Sequence, residues 1–105
     1  MKLKNIFRKI DIDKFNNLCT DLDIAKSLLR EYSGGYSGNF DCAEEFYNSF
    51  TQELEKLKND LTKSKYPDLD KFYMWFLPTS AWDDFVGLDG LELANKILGK
   101  IEILK

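Results

Sequence analysis

The chain has no histidine, and only two cysteines, two prolines and two methionines among its 105 residues. Without histidine, no side chain has an unperturbed pKa near neutrality, and the imidazole on which most zinc sites and nucleophile–base pairs depend is missing. The common hydrolase and metalloenzyme plans are therefore excluded, and no cofactor is expected. Cys19 and Cys42 lie 23 positions apart, a spacing that fits neither a CxxC redox motif nor a zinc knuckle. They read as small apolar core residues. The spacing leaves a disulfide between them open, but the dense cysteine framework of small secreted domains is absent. The first ten residues, Met-Lys-Leu-Lys-Asn-Ile-Phe-Arg-Lys-Ile, are basic and are not followed by an apolar run long enough for a signal-peptide core, so a cytoplasmic location is the default expectation. The longest apolar stretch, around Phe72 to Pro78, falls far short of the roughly 20 residues that span a bilayer. No membrane partner is expected.

What is present is the material of an ordinary packed domain. Apolar residues make up 44% of the chain, aromatics 14% and charged residues 31%, enough to fill one core and cover it, so residues 1–105 are expected to form a single helical domain. From Asp13 to Tyr32 the apolar positions Phe15, Leu18, Leu22, Ala25, Leu28, Leu29 and Tyr32 recur at three and four residues, the spacing of one helix face. Thr20 followed by Asp23 has capping-box spacing and allows this stretch to be two helices meeting near Thr20. Residues 33–39, with three of the six glycines, read as a flexible connection. A phosphate loop there would need a preceding strand and a Lys-Ser or Lys-Thr pair, and has neither.

The next helix starts at an acidic cap, Asp41 with Glu44, and carries Ala43, Phe46, Tyr47, Phe50, Leu54, Leu57 and Leu61 on one stripe. Glu44 and Glu45 at its start and Lys56, Lys58 and Lys63 toward its end suit the helix dipole, and it should stop before Tyr66-Pro67. Leu54 is the position expected to be most sensitive to truncation. Beyond Pro67, residues 68–77 carry four aromatics and lean toward strand by propensity, while Asp68 and the length favour a short helix. Ser80 and Asp83 have the spacing to start a single helical turn. Asp89-Gly90 then precedes a last stripe of Leu91, Ala94, Ile97, Leu98, Ile101 and Leu104. The expected fold is an all-α bundle of four to five helices. The competing arrangement is an α+β fold with a small two-stranded sheet from residues 71–77 and 100–105.

Three Asp-x-Asp pairs, Asp11/Asp13, Asp21/Asp23 and Asp68/Asp70, lack the glycine and glutamate that would complete a calcium loop, and read as solvated helix ends. Asp83 and Asp84 are adjacent carboxylates that could in principle form a metal or acid–base pair, but neighbouring helix residues point apart, which makes a shared site awkward. Charge is unevenly spread. Residues 1–9 hold four basic residues and no acid, residues 10–60 hold eleven acids and five bases, and residues 76–93 hold Asp83, Asp84, Asp89 and Glu92 with no base. Such acidic stretches are wrong for nucleic acid, whose binding needs positive charge along the phosphates, and right for a basic protein partner. The candidate partner-binding residues are Asp83, Asp84, Asp89, Glu92, Glu44 and Glu45.

The block Trp75-Phe-Leu-Pro-Thr-Ser-Ala-Trp-Asp-Asp-Phe-Val-Gly87, followed by Gly90-Leu-Glu-Leu-Ala-Asn-Lys-Ile97, resembles a C-terminal pattern of small bacterial toxin-immunity proteins. The resemblance covers about a quarter of the chain and rests on Pro78, Thr79, Trp82, Asp83, Asp84, Leu93, Asn95 and Ile97. It implies a non-catalytic inhibitor that binds one cognate toxin, such as a basic nuclease, in the cytoplasm of the producing cell. Two readings from other classes stand beside it. One is a small cytoplasmic regulatory or scaffold module that holds a partner helix in an apolar groove. The other is an enzyme working through Asp83 or Asp84.

Overall fold

A computed structural model describes residues 10–104. The basic segment 1–9 and the leader reading attached to it lie outside these residues, as does Lys105. Among the described residues there are five α-helices and one 3₁₀ turn: α1 Ile12–Leu29, α2 Ala43–Thr62, α3 Asp70–Phe76, α4 Ala81–Phe85, the turn Gly87–Gly90, and α5 Leu91–Leu104. The fold is the all-α bundle that the apolar periods predict.

The α1 helix runs unbroken through Thr20. Its start is capped by Asp11, whose side chain accepts a hydrogen bond from the Lys14 N–H at 3.2 Å. Thr20 caps nothing; its hydroxyl donates to the Asn16 carbonyl one turn back. The apolar stripe explains why, since Phe15, Leu18, Leu22, Ala25 and Leu29 are all buried on one face and a break at Thr20 would split it. The same stripe corrects the reading of Asp21 as a solvated helix end. Asp21 lies inside the helix and is buried, whereas Asp23 is exposed and pairs with Lys58 at 2.9 Å.

The N-cap residue of α2 is Cys42, one position past the expected Asp41, and α2 stops at Thr62, ahead of Tyr66-Pro67 as expected. The α3 segment and residues 91–104 are both helical, so the two-stranded sheet does not form; the one β-bridge among the described residues joins Ser37 and Phe40. Helix wins in each segment because its buried residues fall at helical intervals: Phe72 and Phe76 in α3, and Ala94, Ile97, Ile101 and Leu104 in α5. The α1 helix packs against α2 and α5, and α3 packs against α5 and α4. Cys19 is a buried free thiol, pushed above its ordinary pKa by that burial, and Cys42 is a half-buried free thiol.

The Trp-Asp-Asp block forms a corner around Trp82. Its indole is buried and donates to the Gly90 carbonyl at 3.0 Å. A Cβ at position 90 would lie 2.6 Å from the indole and 2.7 Å from Val86 Cγ1. Gly90→Ala is therefore expected to cost about 1–3 kcal/mol through overpacking. Gly99→Ala provides the contrast, because a Cβ there meets nothing within 4 Å and alanine is the better helix former by about 0.8–1 kcal/mol. Thermal unfolding should show opposite shifts for the two variants. A Gly90→Ala protein as stable as the parent would mean that the corner repacks freely.

Candidate functional site

The segment between α1 and α2 is fixed largely by carboxylates from elsewhere in the chain. The Tyr32 hydroxyl donates to Asp89 Oδ2 at 2.8 Å, and the Ser37 hydroxyl donates to Asp84 Oδ2 at 2.8 Å. The Gly34 N–H donates to Glu44 Oε1 and the Asp41 N–H to Glu45 Oε1, each at 3.0 Å. Backbone bonds complete the arrangement: the Ala43 N–H reaches the Gly34 carbonyl, and Ser37 and Phe40 exchange a pair. Four of the six acids singled out from the sequence, Glu44, Glu45, Asp84 and Asp89, thus converge on one short segment, where they remain exposed to solvent. Each bond has an acid as acceptor, so it forms only with the carboxylate ionised or its acceptor oxygen unprotonated.

Two groups carry the electrostatic imprint of this arrangement. The Gly34 N–H beside Glu44 holds its carboxyl below the ordinary glutamate value, because the bond favours the anion. The bond from Tyr32 to Asp89 holds the phenol above its ordinary value, because a neutral hydroxyl donates to the carboxylate and a phenolate would oppose it.

The other two candidate acids stand apart. Asp83 accepts from the Thr79 N–H at 3.1 Å and steadies a turn in which Thr79 has a φ of 64°. Glu92 is exposed in the first turn of α5. Asp83 and Asp84 are engaged by different partners, Thr79 and Ser37, as neighbouring positions on a helix turn require.

Next to Asp84 the surface opens into a pocket of about 550 Å³. The α2 helix lines it with Ser49, Gln52 and Glu53, and α3 with Lys71, Met74 and Trp75, while the segment contributes Ser37 and Phe40. In both helices the residues stand at i, i+3 and i+4, which places them on one face. The Lys71 ammonium lies 3.7 Å from Glu53 Oε1; the glutamate side chain is 11% exposed and the lysine side chain 69%. Asp84 also lines the pocket and is the one lining residue that the sequence singles out as a site residue. Glu53 directly precedes the core residue Leu54 and reads as an ordinary helix-surface charge, and Trp75 reads as core. The signal available was the pair of i, i+3, i+4 sets, which gains meaning only once α2 and α3 are known to face a common opening.

Among the described residues, no group of three or more His, Cys, Asp or Glu is placed to hold a metal ion, and no helix is long and apolar enough to cross a membrane. Comparison with known proteins gives no match to any protein-family model, any curated protein or any solved structure.

Proposed function

We propose that this chain is a non-catalytic, immunity-type inhibitor that acts in the bacterial cytoplasm, binding and neutralising a cognate toxin with the acidic surface around residues 32–41. The observation that carries this reading is the ordering of Glu44, Glu45, Asp84 and Asp89 about one segment by hydrogen bonds within the chain. Acids fixed before encounter present their field without the ordering cost of flexible side chains, and a field of one sign steers a basic partner and selects against acidic ones. A nuclease with a basic substrate cleft fits this surface in charge. Asp83 and Glu92 extend the same sign beyond the ordered four.

The test is co-expression with the product of the neighbouring reading frame. The expected result is rescue of growth together with a complex whose association slows as salt is raised. The absence of both rescue and complex would overturn the proposal. A complex whose association ignores salt would instead assign the chain to the class of modules that hold a partner helix in an apolar groove.

A further inference from the structure

We propose that the pocket between α2 and α3 receives one cationic side chain, an arginine in preference to a lysine, projecting from the basic protein partner. This deepens the reading above by naming what the partner inserts. The pocket combines the three features that a guanidinium needs. It has carboxylates, Glu53 from α2 and Asp84 from α4, against one resident cation, Lys71. It has aromatic surface, since Trp75 and Phe40 both line it with ring centroids 6.2 Å apart and planes at 65°, and a cation within about 6 Å of such a ring is attracted by its π face. It also has room, because about 550 Å³ exceeds the volume of one long side chain.

Lys71 is the reason to expect an incoming cation and not a sealed internal pair. At 3.7 Å its ammonium stands farther from Glu53 than the roughly 2.7–2.9 Å of a charge-assisted hydrogen bond. Glu53 is mostly desolvated while Lys71 is mostly in solvent, so the carboxylate bears a burial cost that its partner offsets only loosely. A planar guanidinium can give a carboxylate two parallel N–H bonds and at the same time lie against a ring, which an ammonium on a flexible stem cannot. An arriving arginine would therefore displace Lys71 outward. Asp84, already oriented by the Ser37 hydroxyl, supplies a second negative charge.

The experiment titrates acetyl-Gly-Arg-Gly-amide into the full chain and follows the two tryptophan indole N–H signals by NMR. The same peptide with citrulline in place of arginine keeps the shape and removes the charge. The expected result is a saturable shift of the Trp75 indole with the arginine peptide and no shift at Trp82, which is buried against Gly90. The citrulline peptide and the Glu53→Gln variant should each bind about tenfold more weakly, the loss of one charge-assisted contact. Lys71→Met, with its helical content checked first, should tighten binding several-fold by removing the competitor. Equal shifts with both peptides, no saturable change at Trp75, or weaker binding by a folded Lys71→Met variant would overturn the proposal. Arginine binding without growth rescue would uphold the pocket and remove the toxin, whereas rescue without arginine binding would do the reverse.

Discussion

Phe50→Ala is expected to lower the free energy of unfolding by about 3–5 kcal/mol. Phe50 is fully buried, and its ring centroid lies 5.2 Å from Phe72, 5.9 Å from Phe46 and Phe76, and 6.0 Å from Trp75. Three of these four rings come from α3 and the fourth from α2, so Phe50 ties α3 to α2, beside the packing of α3 on α4 and α5. Truncation leaves a void that the rings cannot close, because Phe46 is itself stacked on Phe85, and Phe72 sits edge-on to Trp75. Leu54, the position that the sequence marked as most sensitive, is also buried but stands outside this ring cluster. Leu54→Ala should fall in the lower part of the about 2–5 kcal/mol range for buried leucines. Urea unfolding decides the order: the Phe50→Ala midpoint should be the lower of the two, with the slope unchanged if only stability has moved. A larger loss for Leu54→Ala would show that the ring cluster contributes less to stability than the aliphatic packing around Leu54. Because total stability for a domain is only about 5–15 kcal/mol, Phe50→Ala should also blunt any binding read out at Trp75, on which Phe50 is stacked with planes at 24°.

The helices were legible because their apolar stripes are local. Phe15 to Leu29 and Phe46 to Leu57 can be counted along the chain, and the burial follows the count. The competing readings arose where a local signal met a tertiary one, and the structure decides against them. Thr20 and Asp23 have the spacing of a cap, but the stripe crossing them stabilises more when left whole. Aromatic density made residues 71–77 resemble a strand, yet the i, i+4 pair Phe72 and Phe76 could be buried together only on a helix. The candidate site divides along the same line. Its acids could be picked out by type, and Asp41–Glu45 and Thr79–Asp83 are local contacts, each one position off the pairs read from spacing, Asp41 with Glu44 and Ser80 with Asp83. By contrast, Tyr32–Asp89 and Ser37–Asp84 bridge 57 and 47 positions, and nothing in either local sequence marks its partner. The pocket was invisible for the same reason. Glu53 and Trp75 acquire a joint meaning only when α2 and α3 are set side by side.

Lys100→Met is expected to destabilise the protein by about 3 kcal/mol, because it breaks a buried ion pair from the side that leaves the carboxylate behind. The Asp21 side chain, on α1, is 4% exposed and faces two lysines of α5, Lys100 Nζ at 2.6 Å from Oδ2 and Lys96 Nζ at 3.5 Å from Oδ1. Oδ2 accepts no hydrogen bond of good geometry, so Lys100 offsets its desolvation chiefly through charge. Lys100 is itself 31% exposed, which screens part of the attraction and keeps the expected loss at the lower end of the about 3–5 kcal/mol seen for buried pairs. Removing the other partner should matter less. In Asp21→Asn the two lysines keep access to water and a neutral amide replaces the stranded charge, so the penalty that dominates Lys100→Met does not arise. The double variant Asp21→Asn/Lys100→Met should therefore be more stable than Lys100→Met alone, an inversion that additive losses cannot produce. If urea unfolding finds the double variant weaker than both singles, Asp21 is not held by charge, and α1 and α5 are joined by their apolar stripes alone.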